Sequence, residues 1–293
     1  MRGYDGNEGP SKHKTGERRE LLSDTGGDLG MVTCDVTATM KYVKRGEKST
    51  FYAGDRDRSY WPGEEHEVTI HDMRPDADEL ALERNGFVLL DEPGETQDYA
   101  EKDQLAAYCR RTEAMVQRLT GADKVVSFGP IVRTNATGTH GHNQPAFGAH
   151  VDYGAKTVAD YTRDLLPSEE AEERLAKRHM LINVWRPITM VESAPFALCD
   201  ARTVKRQDLF PSEIIGGLGG VDRSLWGFNL AWTPGHKWYW VPHMQPWEVL
   251  AFKLFDSDDD AVQFTAHSAF DDPNAPPDAA PRQSIELRTI AYL

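Results

Sequence analysis

The sequence predicts a mostly β fold with flanking helices, on three observations. Short runs in which apolar and polar side chains alternate recur along the chain, among them VTATMKYV, LINVWRPI and RQSIELRTIAYL, and alternation at period two marks a strand. Polar, turn-forming segments separate these runs at close intervals, whereas only one long stretch keeps a helical stripe. The chain has 293 residues, enough to bury a substantial core, and β barrels of that size commonly form one domain.

Residues 1–30 are rich in Gly, Lys, Arg, Glu, Asp and Ser with almost no large apolar side chains. Such a segment cannot offset the entropy of ordering and is expected to be a disordered tail, with residues 31–293 forming one domain. VTATMKYV and EVTIHDM then read as short strands, with His66 and His71 between and on them expected to be solvated. ELALERNGFVLLDEP predicts a short helix ended by Gly86 and a buried strand FVLL. A long helix is expected over Tyr99–Thr120, with Asp98 and Glu101 at capping-box spacing, Leu105, Cys109, Thr112, Met115 and Leu119 in one stripe, and Gly121 as the stop. KVVSFGPIVRTN is a strand pair or one bent strand. After HVDYGA, the segment TVADYTRDLLPSEEAEERLAKR is helical and charged, with Ser168 as a cap before EEAEERL. LINVWRPI places Asn183 and Trp185 on one face and is held to a strand end or edge by Pro187. In GHKWYWVP, His236, Trp238 and Trp240 alternate with Lys237 and Tyr239, a spacing that suits either a core face or a cavity lining. WEVLAFKLFDS and the C-terminal run complete the strands.

The formal net charge is −14, which argues against nucleic acid or an anionic membrane as the main partner and favours a small-molecule substrate. Cys34, Cys109 and Cys199 are odd in number and far apart, so neither a disulfide framework nor a cysteine zinc site is expected. No apolar run approaches a membrane span, and the first twenty residues lack the apolar core of a signal peptide, so a cytoplasmic protein is expected.

The candidate chemistry centres on HVDYGA. On a strand His150 and Asp152 share a face while Val151 and Tyr153 point the other way. With a distant second histidine such a pair makes the two-histidine, one-carboxylate triad that holds Fe(II) and leaves adjacent positions open. His267, in AHSAF, supplies that histidine, although an H-x-D pair by itself equally suits a polar pair at a surface. On the last strand Arg282, Ser284, Glu286 and Arg288 share one parity, and arginines facing inward are costly unless they meet an anion. A 2-oxo acid chelating the metal would offer its remote carboxylate to that guanidinium, with Ser284 pointing the same way. His140 and His142 sit in a Gly-rich stretch and read either as a cupin-type metal pair or as a loop covering the site.

HVDY, NVWRPI, CDARTV, HKWYWVPHM, AFKLFDS, AHSAFDDP and PRQSIELR, in this order, resemble the family named for the cephamycin C7 methoxylation component, within the Fe(II)/2-oxoglutarate-dependent oxygenases. The resemblance covers residues 32–293. It implies a double-stranded β-helix (jelly-roll, cupin-like) core, with an insertion between the metal-ligand strands and helical support at the N-terminal side. It also implies Fe(II), 2-oxoglutarate and O2 as cofactors, and His150, Asp152 and His267 as iron ligands. Arg282 is implied as the co-substrate anchor, with Ser284 and Asn183 in support and Arg288 as the alternative anchor. On position, His140, Phe147, Trp185, His236 and Trp238 are candidate substrate contacts. The expected reaction is hydroxylation, desaturation or a related C–H oxidation of a small natural-product or amino-acid-derived substrate. Two other readings are a non-oxidative cupin-type metalloenzyme and a non-catalytic partner of a biosynthetic methyltransferase; a homodimer is a further expectation.

Overall fold

The computed structural model describes residues 34–52, 55–92, 98–139, 143–152, 154–215 and 225–293; the expected tail, His140 and His142 lie outside them. The smaller of two sheets has five antiparallel strands. In spatial order these are β5 (Phe87–Asp91), β13 (Glu248–Asp256), β8 (His179–Pro187), β15 (Gln283–Tyr292) and β6 (Lys124–Thr134). Strand β8 is central and both its faces are covered, which is why its sequence is nearly unbroken in apolar character. Pro187 ends it, as a residue without an amide hydrogen must in a paired strand.

The larger sheet runs β1 (Val36–Val43), β4 (Gly63–Asp72), β12 (Trp238–Trp240), β9 (Phe196–Cys199), β14 (His267–Ala269), β7 (His150–Val151), β11 (Leu225–Leu230), β10 (Leu209–Ile215), β2 (Ser49–Tyr52) and β3 (Asp55–Tyr60). Its pairs are antiparallel except β4 with β12 and β10 with β2. Inner faces of the two sheets meet in one apolar cluster, with Phe87, Leu181, Trp185, Leu250 and Phe252 from the smaller sheet against Leu198 and Tyr239 from the larger. Two curled sheets closed on a shared interior make the jelly-roll core.

Helices lie outside that sandwich. α1 (Lys102–Thr120) sets Met115 and Val116 on the outer face of the smaller sheet, over Ile182, Val184, Val249 and Ala251. Its expected start is corrected: the Asp98 carboxylate accepts from the Ala100 amide at 2.9 Å in the preceding turn, and Gln104, rather than Glu101, reaches back to the Asp98 amide at 2.8 Å. Gly121 ends the helix at φ +69°. α2 (Ala155–Leu165) and α3 (Ser168–Leu175) follow β7 and bring Val158, Tyr161 and Ala171 into the inner cluster. Ser168 is the first helical residue and makes no cap; Pro167 precedes it. The short helix expected before Gly86 is instead a 3-10 turn at Arg74–Glu79 followed by a tight turn, because Asn85 turns its side chain to Asp200 (2.9 Å) and Gly86 takes φ +87°. His71 is partly exposed and pairs with Asp35 at 2.8 Å, whereas His66 stacks on Trp232 at 4.2 Å. Among the described residues no helix is long and apolar enough to cross a membrane.

Candidate active site

Strands β7 and β14 pair directly, His150 opposite His267, so two histidines more than a hundred positions apart become neighbours on the inward face of the larger sheet. Their rings lie 4.3 Å apart between centroids. Asp152 follows on the same face as His150, with Oδ1 3.5 Å from His150 Nε2 and Oδ2 3.7 Å from His267 Nε2. One donor atom from each residue can be chosen so that all three lie within 4.8 Å of one another. The two rings are oriented alike: Nδ1 of His150 donates to the Gly148 carbonyl at 2.6 Å, and Nδ1 of His267 to the Thr265 carbonyl at 3.1 Å. A proton fixed on Nδ1 leaves Nε2 as the lone-pair nitrogen, the form a divalent metal requires.

At His150 and Asp152 electrostatics favour the same protonation states. Burial and the adjacent His267 push His150 down to about 4, so the imidazole is neutral at neutral pH. Burial opposes ionisation of Asp152, yet its contacts with His267, His150 and the Arg288 guanidinium hold its carboxyl well below the usual range. Two neutral imidazoles and one carboxylate are the donor set suited to Fe(II).

Facing this triad is the polar stripe of β15. Arg282, just before the strand, and Ser284, Glu286 and Arg288 on it are all buried, with Arg288 opposite Asn183 and Glu286 opposite Trp185 of β8. Arg288 is engaged by Glu286 at 2.6 Å, and Glu286 in turn by Arg133 of β6. Arg282 differs. One nitrogen donates to the Ala194 carbonyl at 2.6 Å, Nε has no partner, and no carboxylate lies within ion-pair distance among the described residues. Burial and the neighbouring Arg133 depress it to about 9, against the smaller pull of Glu286. Ser284 Oγ and Asn183 Oδ1 are also buried without partners. The unpaired Arg282 Nε and the Ser284 hydroxyl are donors that fit a bound anion, whereas Asn183 Oδ1 is an acceptor and does not.

A family model described as Oxidoreductase/YMDC permease-like domain matches residues 39–292. Over 234 residues, spanning 78% of this chain and 83% of the relative, the sequence is 32% identical to the Fe(II)/2-oxoglutarate-dependent dioxygenase nvfI of Aspergillus novofumigatus. The chain belongs to that domain family and to the Fe(II)/2-oxoglutarate-dependent dioxygenases. The dioxygenase is also 27% identical over 247 residues to the hydroxylase/desaturase efuI of Hormonema carpetanum, across 77% of this chain and 83% of that one. A solved structure of the iron and alpha-ketoglutarate-dependent endoperoxidase NvfI matches it with a TM-score of 0.80 at 29% identity, covering 90% of this chain and 99% of that chain. Fe(II), 2-oxoglutarate and O2 are therefore the cofactors of this enzyme, and the readings as a non-oxidative metalloenzyme or a non-catalytic subunit give way.

The dioxygenase gathers some of the sequence candidates at the triad and separates others. Trp185 stacks on Phe196 at 5.1 Å, Phe196 lies 5.6 Å from the His267 ring, and the Arg282 guanidinium sits over Trp185 at 5.5 Å, so these side chains form one wall. Phe147 is half-buried three residues before His150. Trp238 and His236 are placed differently. Trp238 lies on the face of β12 opposite Tyr239, packed with Val36, Met40 and Ile70, and donates to the Tyr42 hydroxyl at 2.7 Å. His236 is buried beside Tyr42, 3.7 Å from Asp208. Period-two aromatics chose the core face here, because the short strand β12 turns its tyrosine rather than its tryptophans inward. Sequence reasoning missed Phe196, Phe252 and Arg133. An arginine inside the apolar run of β6 was the available signal for the last, while the phenylalanines look like any core residue.

Proposed function

We propose that this dioxygenase binds iron through His150, Asp152 and His267 and anchors 2-oxoglutarate through Arg282, oxidising a C–H bond of a small natural-product or amino-acid-derived substrate. The observation that carries the reading is Arg282, a buried cation without a counter-ion among the described residues, tied through Trp185 and Phe196 to His267. A guanidinium there holds a carboxylate in two-point fashion, and the Ser284 hydroxyl has the donor to join it, whereas the free atom of Asn183 is its acceptor oxygen. Bound iron, 2-oxoglutarate and O2 supply an oxidant able to remove a hydrogen atom from carbon.

The protein's own contribution is orientation and exclusion. Gly148 and Thr265 carbonyls lock the two imidazoles, Asp152 stays ionised, and Phe196, Phe252 and Trp185 keep water from the His267 side. Asp152 and His150 are more accessible than His267, so substrate approaches from their side. Names of the relatives, hydroxylase/desaturase and endoperoxidase, support hydroxylation, desaturation or peroxide formation as the outcome. Within the superfamily we place the chain with the cephamycin C7 methoxylation component group, on the strings quoted above, and we read it as a cytoplasmic protein in keeping with its free thiols.

The test is oxygen uptake and succinate formation by iron-loaded protein, first without added substrate and then with a panel of small natural products and amino-acid derivatives. Slow 2-oxoglutarate-dependent succinate release that disappears in His267→Ala supports the reading. No succinate from well-folded, iron-loaded protein under any substrate screened contradicts it.

A further inference from the structure

Inside the barrel runs a chain of alternating charges that co-substrate anchoring by Arg282 does not use. Arg133 grips both oxygens of Glu286, at 3.0 and 2.9 Å. Glu286 Oε1 also accepts from Arg288 Nη2 at 2.6 Å, and the same Nη2 lies 3.9 Å from Asp152 Oδ2. At its other end Arg133 donates to the carbonyl of Gln144, in the segment that leads into His150 (3.0 Å). Side chains of Arg288 and Glu286 are 3% and 7% exposed, so these charges meet with little water between them.

The backbone is shaped for this contact. Along β15 and β6 the register slips between Glu286, which faces Ile131, and Arg288, which faces Phe128, so β6 carries one extra residue. Gly129 sits in that bulge at φ +56°, and its carbonyl accepts from Arg288 Nη1 at 3.0 Å. Bulges re-aim side chains next to functional sites. Here the bulge and Glu286 hold the guanidinium from two directions, and its Nη2 faces the Asp152 carboxylate.

We infer that Arg288 is a positioning residue for Asp152: it fixes the rotation of the carboxylate toward the two imidazoles, while Glu286 and Arg133 hold Arg288 in place. The inference rests on the reading of His150, Asp152 and His267 as the metal site. It gives Arg282 to the co-substrate and Arg288 to the metal carboxylate. Partners that orient a metal ligand from behind typically change metal affinity by about 10- to 100-fold when removed.

The experiment is anaerobic titration of metal-free full-length protein with Co(II), read by its visible absorption, followed by 2-oxoglutarate at saturating Co(II). Arg288→Met is expected to weaken Co(II) binding by about tenfold or more and leave 2-oxoglutarate affinity nearly unchanged. Arg288→Lys, which keeps the charge, should recover part of the loss, and Glu286→Gln should weaken Co(II) in the same direction. Arg282→Met should show the reverse split. If Arg288→Met does not fold by thermal melting, Arg288→Lys and Glu286→Gln carry the test. The inference is overturned if folded variants bind Co(II) as wild type does, or if their main loss is in 2-oxoglutarate affinity. Wild type that binds neither metal nor co-substrate removes the functional reading and this inference together; wild type that binds both, with indifferent Arg288 variants, removes the inference alone.

Discussion

Each polar side chain buried in the interior needs a partner, and the partners separate residues of similar appearance. Among the described residues Arg282 has a backbone carbonyl and an aromatic face but no anion, so Arg282→Met should cost the protein little stability and should raise the 2-oxoglutarate concentration needed for half-saturation by roughly tenfold or more, the scale of a lost charge-assisted pair of hydrogen bonds. Trp238 has its partner in Tyr42 and belongs to the core. Trp238→Phe should lower stability by roughly 2–4 kcal/mol, the combined cost of ring volume removed from a packed core and of a buried Tyr42 hydroxyl deprived of its donor, and leave 2-oxoglutarate-dependent oxygen uptake as in wild type. The triad and the inward parity of β15 were legible in the sequence because strands enforce period two. Which aromatic faces the cavity was not legible: at Trp238, Tyr239 and Trp240 both faces of the strand are buried, and alternation carries no direction when neither side meets water.

At the scale of elements, the site depends on two backbone approaches that only glycine permits. Gly148 lies under the Trp61 ring, and a Cβ there would fall 2.7 Å from Trp61 Cζ2, while the Gly148 carbonyl orients His150. Gly148→Ala is therefore expected to weaken metal binding as well as stability, and adding Trp61→Leu should restore both in part; a Gly148→Ala protein with unchanged metal affinity would show that the carbonyl does not set the ring. Gly86 plays a related part across the interior. Its carbonyl accepts from Thr265 Oγ1 at 2.8 Å, and the Thr265 carbonyl in turn fixes His267. The sequence announced Gly86 as a stop signal, but it could not announce the threonine, which is distant in the chain. The helix α1 was legible from its stripe, and its start was misjudged because Gln104 competes with Glu101 for the Asp98 amide.

The described residues form two curled sheets whose shared interior holds a group of paired charges beside its apolar cluster, and stability should reflect that. Burial disfavours the ionised form of Glu286, but Arg133 and Arg288 outweigh it and hold the carboxyl at about 2, below its ordinary 4.5. A group so depressed adds stability that is complete above the unfolded value and disappears as pH falls through the folded one, here between about 4.5 and 2, worth about 3 kcal/mol. Glu286→Gln should flatten the acid-unfolding curve across that window; a variant as acid-sensitive as wild type there would contradict the assignment. Sheet pairing accounts for what lay beyond sequence reasoning at this scale, since strand order in the larger sheet brings β7 and β14 together across six intervening strands, β8 to β13, and two helices. The central claim is that one interior site binds a metal through the triad and a 2-oxo acid through Arg282. Its most direct test is anaerobic addition of Fe(II) and then 2-oxoglutarate to metal-free protein, watched for the visible charge-transfer band of a chelated 2-oxo acid. The account predicts the band in wild type, its loss in His267→Ala, and its recovery only at much higher 2-oxoglutarate in Arg282→Met. Iron binding without the band, or a band indifferent to His267 and Arg282, would contradict it.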